Sequence, residues 1–264
     1  MSRSMPGLPI DPPAATQAKS KTGLLVSVRS MAELATIADL GVDVIDFKEP
    51  RLGPLAAADP AIWASAAESV SLEQELSAAL GECDQAIGLA SQVPARFNYA
   101  KAGPAGVEST ERLAGYWRQL RQRLPESVEL VAVAYADHDI ANCPDPESIF
   151  ATAEACGIKT WLLDTFGKAA DQGVVHRIGP ERFRSLRVMA DQAGARWVLA
   201  GSIRINEAIG LASHRMMPDL YGVRGDVCDA SRDGNVEAEK VSRWLELVRS
   251  FTHDHHHRDN RDCS

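Results

Sequence analysis

Val44-Ile45-Asp46-Phe47-Lys48-Glu49-Pro50 is an apolar run carrying an acid and an amine. Val44, Ile45 and Phe47 read as a short buried strand, bounded by Gly41 before and Pro50 after. Strand alternation puts Asp46 and Lys48 on one face, two residues apart. A carboxylate and an amine at the carboxyl end of such a strand are costly to bury unless paired or used. Either they close a core layer as an ion pair, or Lys48 is a catalytic lysine and Asp46 its acid/base partner.

Outward from this stretch the same unit repeats. Residues 24–28 form a first buried strand. Ser30 caps a helix to about Leu40, with Met31, Leu34, Ile37 and Ala38 as its apolar stripe, and Gly41 stops it. After a loop over 50–59, Pro60 opens a helix to about Val70. A weaker third strand lies at 76–81 and a fourth at 97–101, before Gly103-Pro104. Further strands fall at 128–134, 159–164, 196–200 and 220–224, with helices at 109–123, 146–155, 180–193, 205–213 and 235–250. Eight strands alternating with helices indicate an α/β fold, a single (β/α)8 TIM barrel. No Gly-x-Gly-x-x-Gly follows the first strand, which disfavours a dinucleotide-binding sheet. The barrel is expected over 23–251. The Pro- and Ser-rich segment 1–22 is expected to be a disordered N-terminal tail, and 252–264 a disordered His-rich tail.

The net charge of −8 argues against a general nucleic-acid or anionic-membrane surface. No run of 18 apolar residues is present, so no membrane span is expected. Five scattered cysteines without a Cys-x-x-Cys pair suit reduced thiols in a cytoplasmic protein. The chain holds 21 arginines but only seven lysines. An amine can lose its proton where a guanidinium cannot, so the placement of those lysines is informative.

Active sites of such barrels lie at the C-terminal strand ends. Those ends carry Asp46 and Lys48, Lys101, Asp137, and Asp164 with Lys168. Taken singly, each lysine reads as a solvated loop residue. Together they suggest clustered ammonium groups that favour a neutral, nucleophilic amine. The loops after strands seven and eight hold Gly201-Ser202 and Gly222-Val223-Arg224-Gly225. Glycine amides and a bidentate Arg224 there suit a phosphate, although glycine also serves ordinary strand-to-helix turns. No metal-ligand spacing is present.

The segments LLVSVRS (24–30), VDVIDFKEPRLGPLAA (42–57), FNYAKAG (97–103), VAVAYAD (131–137), LLDTFGK (162–168), LAGSI (199–203) and YGVRGDVC (221–228) resemble the (5-formylfuran-3-yl)methyl phosphate synthase family. That family is also called 4-(hydroxymethyl)-2-furancarboxaldehyde-phosphate synthase. The similarity spans about 23–250. It implies a lyase that joins two molecules of glyceraldehyde 3-phosphate into a furan aldehyde phosphate, losing phosphate and water, in methanofuran-type cofactor biosynthesis. It places the family's lysines and aspartates at Asp46, Lys48, Lys101, Asp164 and Lys168. One departure is Ala56, where Gly is expected.

On this reading Lys48 forms a Schiff base and Asp46 holds or relays protons. Lys168, oriented by Asp164, is a second amine for acid/base transfer and phosphate elimination. Lys101 tunes Lys48 or contacts phosphate, and Gly201, Ser202, Gly222, Arg224 and Gly225 hold the phosphate. No cofactor is expected. The expected partner is a small phosphorylated aldehyde, with no nucleic acid and no membrane, and the expected assembly is a homo-oligomer. Another Schiff-base barrel enzyme acting on a phosphosugar and a noncatalytic binding barrel are the alternatives.

Overall fold

A computed structural model describes residues 22–167 and 173–258, with side chains described to Phe251. Lys168 and residues 1–21 and 259–264 of the two expected tails lie outside the described residues.

Eight parallel strands close in sequence order into a barrel. They are β1 (Gly23–Val28), β2 (Val44–Phe47), β3 (Glu75–Glu82), β4 (Tyr99–Gly103), β5 (Glu129–Tyr135), β6 (Thr160–Asp164), β7 (Arg196–Leu199) and β8 (Leu220–Val223). β8 pairs with β1 to shut the ring, Val26 lying opposite Val223. The helices are α1 (Met31–Ile37), α2 (Pro60–Ser69), α3 (Cys83–Leu89), α4 (Thr110–Arg123), α5 (His138–Ala141), α6 (Pro146–Ala155), α7 (Val174–Ile178), α8 (Pro180–Ala193), α9 (Ile205–Ser213) and α10 (Ala238–Arg258). Ser30, Asp59, Ser109 and Asp145 cap α1, α2, α4 and α6 by accepting from first-turn amides.

The longest strand is β3, which the sequence marked as weakest. Its central residues, Ser77, Ala78 and Ala79, are small and buried. β4 lies two residues later than expected. Asn98 is already bonded to both backbone groups of Leu76 and acts as the entry to the strand. Lys101 therefore sits inside β4 rather than at its end. The helix expected over 235–250 starts at Ala238 and runs to Arg258, into the segment expected to be a disordered tail. No glycine or proline interrupts the sequence after Ala238.

The barrel interior is layered. At the N-terminal end Arg196 Nη1 donates to Glu75 Oε2 at 3.1 Å and to Tyr99 Oη at 2.5 Å, and Thr160 donates to Glu129 at 2.6 Å. Above this polar plug, Leu25, Val44, Val131, Val133, Leu162, Val198 and Leu220 form an apolar layer. A second core lies between strands and helices, where Phe150 stacks on Trp161 at 5.1 Å and meets Trp197 edge-on. The apolar middle separates the two polar ends and leaves the C-terminal mouth as a distinct chemical compartment.

Candidate active site

The mouth is built around Asp46. Register places Ser27 of β1 and Ser77 of β3 on either side of it. Lys101 reaches in from β4, past Ala79, its small register partner on β3. Lys101 Nζ lies 2.6 Å from Asp46 Oδ1, and Ser27 Oγ donates to Oδ2 at 2.9 Å. Asp46 is fully buried and Lys101 nearly so. Burial alone would raise the Asp46 carboxyl, but the charges of Lys101 and Lys48, with hydrogen bonds from Lys101 and Ser77, hold it below the ordinary carboxylate range.

Lys48 follows β2 and is partly exposed. Its amide donates to Val28 O at 3.0 Å, and it forms an antiparallel bridge with Ala57. Glu49 N donates to Ala56 O at 2.8 Å, so the expected loop is pinned at its base, which fixes the Lys48 backbone. Among the described residues, the non-glycine residues of positive φ are Asn142, Ser202 and Arg215. Ala56 is thus in ordinary backbone space, where its Cβ brings no strain.

Asp164 ends β6, buried, with Oδ1 accepting from Thr165 N at 2.7 Å. Asp137 accepts from the amides of Phe166 and Gly167 at 2.7 and 2.8 Å and faces Arg177 at 3.9 Å. It therefore anchors the backbone immediately before Lys168. On the β3–β5 side, Tyr135 Oη donates to Glu82 Oε1 at 2.9 Å while Ala105 N donates to Oε2 at 2.9 Å. Burial first, then the charges of Glu82 and Asp164, raise the Tyr135 hydroxyl well above its ordinary value, so it remains a donor.

The two glycine loops differ from the expected anion site in one respect. Arg224 is buried and all five of its N–H donors are committed. Nη1 and Nη2 bond Glu33 at 2.8 and 3.1 Å, and the remaining donors reach Ser27 O, Arg232 O and Gly234 O. Its side chain braces the β8 loop and holds no donor for a ligand, which corrects the expected bidentate phosphate contact. Gly222, expected beside it, lies within β8, where an added Cβ would press on Ala200. The backbone amides remain suited to an anion. Those of Gly201, Ser202, Ile203, Gly225 and Asp226 donate to no acceptor among the described residues. Gly201 has φ +98°, and a Cβ there would lie 2.9 Å from Thr165 N, so only glycine fits. Asp226 ties the two loops together by accepting from Ile205 N and Trp244 Nε1.

The structure brings Asp46, Lys48 and Lys101 together and sets Asp164 at the same mouth. The residues missed in sequence are Ser27, Ser77, Glu82 and Tyr135. The first two were detectable as polar residues at inward positions of apolar strands. Glu82 was hidden by the indistinct end of the third strand. No helix among the described residues is long and apolar enough to cross a membrane, and no cluster of His, Cys, Asp or Glu among them could hold a metal ion.

Fold and mouth together define a (β/α)8 barrel with a buried carboxylate–amine centre at its C-terminal strand ends. The barrel resembles KGPDC from Streptococcus mutans (TM-score 0.60, 10% identity, 87% of this chain and 98% of that one). It also resembles QR15, an aldolase (TM-score 0.55, 13% identity, 86% and 97%). At these identities the likeness concerns the fold alone. The model of the 4-HFC-P synthase family matches residues 24–245, and the chain belongs to that family. A (5-formylfuran-3-yl)methyl phosphate synthase of Archaeoglobus fulgidus is 29% identical over 236 residues (85% of this chain, 98% of the relative). One of Methanosarcina barkeri is 25% identical over 230 residues (84% and 97%).

Proposed function

We propose that this protein is a carbon–oxygen lyase that condenses two molecules of glyceraldehyde 3-phosphate into a furan aldehyde phosphate. Phosphate and water are released, and the product feeds methanofuran-type cofactor biosynthesis. The observation that carries the reading is an amine, Lys48, set beside a buried Asp46–Lys101 pair whose amine and carboxylate are 2.6 Å apart. Membership of the synthase family supports the reaction class.

In this reading Lys48 Nζ attacks a triose-phosphate aldehyde and water leaves to give an iminium. The iminium draws electrons from the neighbouring carbon, which loses a proton and adds to the second carbonyl. Asp46, held ionised by its neighbours, stabilises the positive charge and passes protons. Lys101 fixes the carboxylate. The proton transfers that expel phosphate are assigned to Lys168 and Asp164, and the glycine amides of the β7 and β8 loops receive the phosphate.

The test is borohydride reduction in the presence of glyceraldehyde 3-phosphate, followed by peptide mass mapping. The adduct is expected on the peptide carrying Lys48 and absent from Lys48→Arg, since a guanidinium with a pKa above about 12 forms no imine near neutral pH. An adduct on Lys168 with Lys48→Arg still active would reverse the assignment. Wild-type protein that yields neither a furan chromophore nor free phosphate would sink the reading.

A further inference from the structure

We propose that Arg232, in the loop between β8 and α10, is the cation that receives the substrate's phosphate, together with the backbone amides of Gly225 and Asp226. This role rests on the phosphorylated-substrate reading above and replaces Arg224 in it. The two arginines contrast sharply. All five N–H donors of Arg224 end on protein oxygens. Among the described residues Arg232 hydrogen-bonds only through Nη2, to the carbonyls of Pro50 and Gly53. Its Nε makes a loose approach of 3.8 Å to Asp233, and Nη1 has no acceptor among the described residues. The side chain is three-quarters covered, yet three of its donors lack a hydrogen bond there. These donors are not among the buried unpaired atoms, so they stay open to water or to a ligand, and a phosphate oxygen pair fits the planar fork.

Position supports the same conclusion. Nη2 rests on the β2 turn that carries Lys48, while the charge of Asp164, across the barrel on β6, acts on the guanidinium. Arg232 therefore reaches over the mouth from β8 instead of pointing into solvent. A Cβ at Gly225 would lie 3.6 Å from Arg232 Cβ, so the base of the arginine packs against the turn whose Gly225 and Asp226 amides donate to no acceptor among the described residues. A phosphate held there meets the cation and two backbone donors while its carbon chain points toward Lys48.

The competing reading is that Arg232 only straps the β8 loop to the β2 turn. Titration calorimetry with inorganic phosphate separates the two without requiring turnover. Arg232→Ala and Arg232→Gln should each weaken phosphate about 10- to 100-fold, the loss of a charge-assisted pair. A change below about threefold in both would overturn the proposal.

Imine trapping adds a readout that a strap would not move. Arg232→Gln should lose the preference for glyceraldehyde 3-phosphate over glyceraldehyde, while the glyceraldehyde adduct persists. Equal loss with both aldehydes assigns Arg232 to strapping and overturns the proposal. If the variants do not fold, phenylglyoxal modification of the wild-type protein decides. Phosphate should protect the Arg232 peptide but not that of exposed Arg123, and absence of protection refutes the site. Wild-type protein that traps no imine but loses phosphate binding on substitution would refute the proposed chemistry and leave Arg232 as an anion site.

Discussion

Replacing Lys101 by Met removes the ammonium 2.6 Å from Asp46 and leaves a similar apolar volume. Asp46 has no exposed surface, so water cannot replace the lost partner. Breaking a buried pair from one side costs about 3–5 kcal/mol. Lys48 still acts on the carboxylate, and Ser27 still donates to it, which places the expected loss near the lower figure. The sign of the pH dependence should also change. In the wild type the depressed carboxyl contributes stability above its ordinary titration range, lost as pH falls through the folded value. In Lys101→Met burial dominates and the folded pKa rises, so the variant loses stability as pH climbs above about 4. Acidification from pH 7 to 5 should then recover up to about 2.7 kcal/mol. Urea unfolding at both pH values measures this, with Asp46→Asn/Lys101→Met as the partnerless reference. A Lys101→Met protein within about 1 kcal/mol of wild type at pH 7, and with the wild-type pH profile, would show that the pair is not a desolvated one.

Two other outcomes follow from the same mouth. Arg224→Lys keeps a charge but cannot span Glu33 bidentately while reaching three carbonyls; a loss of about 2–4 kcal/mol in thermal or urea unfolding is expected, and a neutral result would remove Arg224 as the brace of the β8 loop. Burial, with the charges of Glu82 and Asp84, pushes the Cys83 thiol up to about 12. Native protein at pH 8 should therefore spare Cys83 from iodoacetamide until urea is added, and rapid native alkylation would contradict its burial.

The barrel was legible because its signals are local. Apolar runs such as 44–47 and 160–164, stopped by Gly41, Pro104 or Gly157, repeat at a period that only alternating strands and helices produce. The Asp46 and Lys48 face followed from alternation alone. What escaped has a different physical origin. The Lys101–Asp46 contact joins residues 55 apart and depends on Ala79 leaving space between their strands. Arg224 looked like a ligand because its loop carries glycines. Its actual partner, Glu33, lies 191 residues away on α1, beyond any local pattern. Short α5 and α7 have too few turns to show a helical period, and they form because the strand ends beside them are already placed.

The closure of β1 on β8 also has a meaning for how the protein is made. Synthesis is vectorial, so β1 and the Lys48 turn emerge long before residues 220–237. Until then the β1 edge offers unpaired amides and carbonyls to any neighbouring chain. Arg29 waits for Asp233 O and Asn235 Oδ1, at 2.7 and 2.9 Å, and the carbonyls of Pro50 and Gly53 wait for Arg232. The segment that carries Lys48 leaves the ribosome early and is thus among the last to acquire its final surroundings. Ribosome stalling before β8 would yield a sticky, inactive intermediate, and chaperone demand should concentrate in that interval.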